Sequence, residues 1–156
     1  MKAQKFTLEI EEDKEITLGL VRLVKEVPDY ELFFHLNKLN NFKFSRIKDI
    51  IHFGTYYHYH FPRFQAFHGD SQVCIHFILN KCSESHQIAK PTELFTGEED
   101  VKYLLPNYTD VDYLLKTSEP FGDFSLILLP ENLMFQIQDF QLSPMEELYQ
   151  LIQYYD

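Results

Sequence analysis

The residues from Phe42 to Asn80 constrain this chain more than any others. They read FKFSRIKDIIHF, then TYYHYHFPRFQAF, then QVCIHFIL, three stretches dense in β-branched and aromatic residues. Such side chains suit a pleated, half-buried surface. The connections are short, with a turn at His68-Gly69-Asp70-Ser71 between the second and third stretches. Chain links of that length cannot carry a crossover, so consecutive strands must pair antiparallel. Pro62 lies inside the second stretch and has no N–H to give a ladder. That strand is expected at an edge, bulged, or broken into two short pieces.

The flanking segments fill out an α+β order. Phe6, Leu8 and Ile10 alternate with polar residues, as do Ile16, Leu18 and Leu20, and the acidic link Glu11-Glu12-Asp13 reads as a hairpin turn. Pro28-Asp29 opens a helix whose Leu32, Phe33, Leu36 and Leu39 share a face, with Asn40-Asn41 suited to a left-handed stop. Residues 83–100 are polar, contain Pro91 and Gly97, and read as the longest loop. Strands are expected at 101–105, 110–116, 123–129 and 133–140, the last two joined by a turn at Pro130-Glu131-Asn132. Ser143-Pro144-Met145-Glu146 has the form of a capping box, predicting a helix with Met145, Leu148, Leu151, Ile152 and Tyr155 on one face.

No repeat, low-complexity tract or linker divides the chain, so residues 1–156 are expected to form a single α+β domain. The predicted order is two strands, a helix, three strands, a long loop, four strands and a helix, with an antiparallel sheet and the helices on one face. Profilin-like, longin-like and PAS-like domains share such an order, an analogy that implies nothing about ligand or activity.

Composition narrows the function classes. With 45% hydrophobic and 16% aromatic residues in 156, the chain has material for a core that needs no disulfide or metal. The net charge is −10 and the 14 Lys and Arg residues are scattered, which argues against nucleic acid and anionic membranes as partners. The N-terminus turns acidic before any apolar stretch could form a signal peptide, and no apolar run reaches spanning length. A cytoplasmic location is expected, with Cys74 and Cys82 as reduced thiols.

Residues 104–113 read LLPNYTDVDY, which resembles the signature of the IPExxxVDY family of small Bacteroidetes proteins. Leu105 stands for the isoleucine, Pro106 for the proline, Asn107 for the glutamate and Val111-Asp112-Tyr113 for the closing triplet. The resemblance extends to Ile16–Leu20, to Asp29, Tyr30, Leu32, Leu36, Asn37 and Leu39, to Ile78-Leu79-Asn80-Lys81, and to Leu94-Phe95, covering residues 5–117. It implies no assigned activity. Asn107 in place of Glu argues against a catalytic carboxylate there, since an amide exchanges no proton near neutral pH.

Candidate chemistry is sparse. His58 and His60 are two apart on a strand, so both imidazoles can approach one metal, with His52, His68 or His76 as a third ligand. No acidic residue intervenes between His60 and Asp70, and alternating His and aromatic residues are common on sheet faces. Cys74 alternates with apolar residues and reads as an inert small hydrophobe; Cys82 follows Lys81 with no base in view. The five glycines are isolated, so no phosphate loop or dinucleotide fingerprint can be built, and no cofactor is expected. Asp112 with Asn80 and Lys81 is the first choice for a polar ligand site, and Asn37 joins it weakly, although an organising role in the fold is favoured for Asp112.

Three function classes follow. The leading one is a non-catalytic interaction or adaptor domain, whose partner is another protein or a second copy of this chain. The second is a small-molecule binder with an aromatic pocket, and the third a metal-assisted enzyme using His58 and His60.

Overall fold

Seven strands hydrogen-bond into one antiparallel sheet in the computed structural model, which describes residues 15–68, 73–89, 99–118 and 124–155. In chain order the elements are β1 (Ile16–Val21), α1 (Asp29–Leu39), β2 (Ser45–Phe53), β3 (Tyr57–His68), β4 (Val73–Leu79), β5 (Glu84–Gln87), β6 (Tyr113–Thr117), a short 3₁₀ turn at Phe124–Leu126, β7 (Gln138–Leu142) and α2 (Glu147–Tyr154). The sheet order is β2-β3-β4-β6-β1-β7, and β5 pairs with β3 beside β4. This is an α+β domain, as the periodicity predicts. The expected strand around Phe6, the turn at 69–71 and Leu94-Phe95 lie outside the described residues.

Pro62 does not end β3. The strand runs through it because the ladder opens on both sides at that point. On one side the β2 register slips between Ile47 and Ile50, opposite Arg63 and Phe61. On the other, β4 pairs with residues 63–68 and β5 with residues 57–60, so the chain at 80–83 makes its excursion where Pro62 has no N–H to offer. Of the three expectations, the bulge is the one realised.

Alternation along the strands divides the core into two layers. One face carries Phe64, Ile75, Phe77, Tyr113 and Leu115 under Leu32, Phe33 and Leu36 of α1. The Phe33 ring stacks on Phe64 at 4.0 Å and meets Phe77 edge-on at 5.3 Å. Gly19, paired with Leu115, lies on this face, where a Cβ would sit 2.7 Å from Ile137 Cγ2 and 3.2 Å from Leu115 Cβ. The other face carries Leu18, Leu20, Phe61, Ile78 and Leu114 under Leu148, Tyr149 and Ile152 of α2. The two helices therefore cover opposite faces, where the sequence reading put both on one. Both helices carry an apolar stripe, and a stripe by itself does not say which side of a sheet a helix takes.

Several local expectations shift. Leu39 is 46% exposed, because α1 ends as the chain turns to β2. Asn40 is extended, with φ −108°, and stops the helix with its side chain: Nδ2 donates to the Leu36 carbonyl at 2.8 Å and to the Leu128 carbonyl at 3.0 Å. Ser143 accepts the Met145 N–H, but it caps a turn and α2 begins at Glu147, so Met145 is exposed and Tyr149 takes its place in the buried stripe. The segments 101–105 and 124–134 form no strand and contribute isolated bridges at Tyr103 and Met134; the last strand lies at 138–142. Among the described residues no helix is long and apolar enough to cross a membrane.

Candidate functional site

Asn80 is wholly buried, and the segment 104–112 hangs on it. Its Nδ2 donates to the carbonyls of Tyr108 at 2.9 Å and Val111 at 3.0 Å, and its Oδ1 accepts the Leu105 N–H at 2.9 Å. Its own N–H reaches the Asp112 carbonyl and its carbonyl receives the Leu104 N–H. An irregular backbone segment laid on a sheet must find partners for its polar groups, and a buried amide offers donor and acceptor together.

Asp112, at the end of that segment, accepts the Leu23 N–H at 2.8 Å through Oδ2, and its own N–H bonds the Val21 carbonyl. Burial pushes its carboxyl above the ordinary range, opposed by the Leu23 bond and helped by the negative charges of Asp110 and Glu26. Asp110 behaves in the opposite sense: Arg22 Nε donates to it at 2.7 Å and holds its carboxyl below the ordinary value.

The structure separates the expected polar group. Asp112 and Lys81 line one open surface groove, together with Lys25 and Glu26. Asn80 lies beneath, with its amide taken up by backbone. Asn37 is remote from it and closes the α1–β2 corner, donating to the Phe44 carbonyl at 3.1 Å and accepting the Phe44 N–H at 2.6 Å.

The suspended segment forms one wall of a half-open cleft of about 210 Å³, and α2 forms the other. Leu105, Phe140 and Leu151 line its apolar part. Asn107 and Glu146 are exposed on its rim, and His52 Nε2 meets Glu147 Oε1 at 2.6 Å. That bond holds the Glu147 carboxyl below its ordinary value. His52 Nδ1 is buried and is the one such side-chain nitrogen or oxygen without a hydrogen-bond partner among the described residues.

The histidine strand has a different neighbourhood. His58 and His60 alternate with Tyr59 and Phe61 and so lie on the α1 face of the sheet, and they pair across the ladder with His86 and Glu84 of β5. One imidazole nitrogen each of His60 and His86 and one Glu84 carboxylate oxygen all lie within 4.8 Å of one another. His58 is not in this group; its ring packs edge-on against Phe53 at 4.7 Å. Glu84 and His86 escaped the sequence reading because they fall inside the segment taken as loop. The E-x-H alternation at 84–86 was the available signal.

A second pairing was legible in the same way. Cys74 and His76 are two apart on β4 and point away from Ile75 and Phe77, so Cys74 is half-buried rather than a core hydrophobe. Its Sγ lies 3.3 Å from His76 Nε2, and Gln65 Nε2 lies 3.0 Å from each. Cys82 is buried and receives the Lys102 N–H at 3.3 Å.

Comparison with known proteins adds no identity: no family model, no curated protein and no solved structure matches the chain.

Proposed function

We propose that this chain is a non-catalytic cytoplasmic interaction domain that receives a cationic side chain of a protein partner in the cleft between residues 103–108 and α2. The size and lining of the cleft carry this reading. At about 210 Å³ it is smaller than the roughly 300–1,000 Å³ of sites that enclose drug-sized ligands. A single long side chain fits such a space. A Lys or Arg stem would lie along Leu105, Phe140 and Leu151, with its head at the Glu146 and Glu147 carboxylates. The net charge of −10 would speed the approach of a cationic partner.

The resemblance to the IPExxxVDY signature belongs to the same proposal. In this reading the signature shapes a recognition wall and does no chemistry, which is why Asn can stand at 107 on the rim. The small-molecule alternative calls for an enclosed cavity walled by Phe and Tyr, whereas Phe33, Phe44, Phe64 and Phe77 here pack ring on ring.

A photo-crosslinking residue placed at position 107 in the native cell tests the proposal, with exposed position 48 as control. A discrete protein adduct should form at 107 and vanish when Glu146 and Glu147 are changed to Lys. Adducts that are identical at both positions, or that survive the charge reversal, would overturn it.

A further inference from the structure

We propose that His60, Glu84 and His86 form a binding site for a zinc-class divalent transition-metal ion. The site is built by the pairing of two strands. His60 and Glu84 are direct cross-strand partners, and His86 lies diagonally across from His60 with ring centroids 5.0 Å apart and planes at 89°. Partners across an antiparallel ladder project to the same side, so all three side chains stand on one surface. Their ligand atoms already lie within 4.8 Å of each other.

A tetrahedral ion with bonds of about 2.0–2.2 Å holds its donors roughly 3.4 Å apart; Glu84 Oε1 and His86 Nε2, at 3.7 Å, are already close to that spacing. Glu84 and His86 are exposed and can make the remaining adjustment by side-chain rotation, while His60 is more enclosed and serves as the fixed ligand. Asp49, from the bulge of β2, places Oδ2 3.8 Å from His60 Nδ1, where a carboxylate can orient the ring of a metal-bound imidazole.

The donor set selects the ion. Two imidazoles and one carboxylate suit zinc and its neighbours, and disfavour magnesium and calcium, which take oxygen ligands. Three protein donors leave a fourth position to water. The ion would tie β5 to the N-terminal end of β3. This site is distinct from the cleft at α2 and does not depend on it.

Zinc chloride titrated calorimetrically into the tag-free full chain should show one ion bound per chain. His86→Ala and Glu84→Gln should each weaken binding by about tenfold or more, going by the size of ligand-shell effects. His58→Ala should leave the affinity unchanged, since that ring is packed on Phe53. Because Glu84 and His86 are exposed, their variants should keep the zinc-free unfolding midpoint, which separates loss of ligand from loss of fold. The proposal is overturned if His86→Ala binds zinc as tightly as the parent, if His58→Ala loses as much as His86→Ala, or if one ion binds per two chains.

Discussion

The sheet is covered in two ways, by the helix α1 on one face and, beside α2, by the irregular segment 103–111 on the other, and the two kinds of cover have different physical needs. A helix satisfies its backbone internally, so it can lie on a sheet through apolar contact alone. α1 does this with Leu32, Phe33 and Leu36, and the sheet beneath answers with Phe64 and Phe77. The 103–111 segment has no internal ladder, and its carbonyls and amides need a partner from the sheet. Asn80, the most deeply buried polar side chain among the described residues, supplies it. The pattern recurs at 127–129, where Leu128 exchanges both backbone hydrogen bonds with the buried Asn40. The α1 cover is met by rings, and each of these irregular segments by an asparagine.

The strongest test of the comparison is on the helical side. Leu36→Ala should cost about 2–5 kcal/mol, the usual range for emptying a core leucine site, read as a lower urea midpoint with an unchanged slope. A variant as stable as the parent would mean that α1 is not held by apolar contact.

Asn80→Ala should come next, at roughly 2–4 kcal/mol. It would leave the Leu105 N–H and the Val111 carbonyl unpaired, at about 1–3 kcal/mol each before water reaches the loop, while the Tyr108 carbonyl keeps the Val111 N–H. Amide exchange should accelerate first at residues 104–111 and leave α1 protected. Asn80→Asp should be no remedy, because a carboxylate cannot donate to two carbonyls. Uniform loss of protection across both faces would dissolve the distinction drawn between the two covers.

The smallest expected effect is at Asp112, which anchors the end of the irregular segment. Asp112→Ala orphans the Leu23 N–H, at about 1–3 kcal/mol. Asp112→Asn keeps an acceptor there and removes a charge that burial disfavours, so it should match or exceed the parent at neutral pH. The raised carboxyl pKa means that the parent gains stability as pH falls through that value, levelling off below the ordinary aspartate range. The Asn variant should lack this gain. If Ala is tolerated as well as Asn, the carboxylate has no anchoring role, and Asp112 becomes a ligand contact in the groove it shares with Lys81.

The candidate sites were legible to different depths. The alternation His58-Tyr59-His60 located the strand face, but an alternation says which residues share a side and not which strand lies beside them. Register turned the pair into the His60, Glu84, His86 group and set His58 against Phe53. The sequence offered His58 and His60 from one strand, whereas the structure keeps His60 and adds Glu84 and His86 from β5. Cys74 and His76 meet because i and i+2 face one way, a relation present in the sequence from the start. The cleft was not legible, since its walls come from segments some forty residues apart that meet only through packing.

What the sequence determined by itself was local. Aromatic and β-branched alternation dictated strands from 45 to 79, short links dictated antiparallel pairing, and Leu32, Phe33 and Leu36 dictated an amphipathic helix. Each of these depends on side chains a few residues apart, a spacing the backbone geometry sets directly. Tertiary structure decided the rest: that the helices take opposite faces, that 101–105 hangs from Asn80 instead of forming a strand, and that β5 brings Glu84 and His86 to His60. Those outcomes depend on which distant surfaces are free to be covered, and on where backbone groups without a ladder find partners.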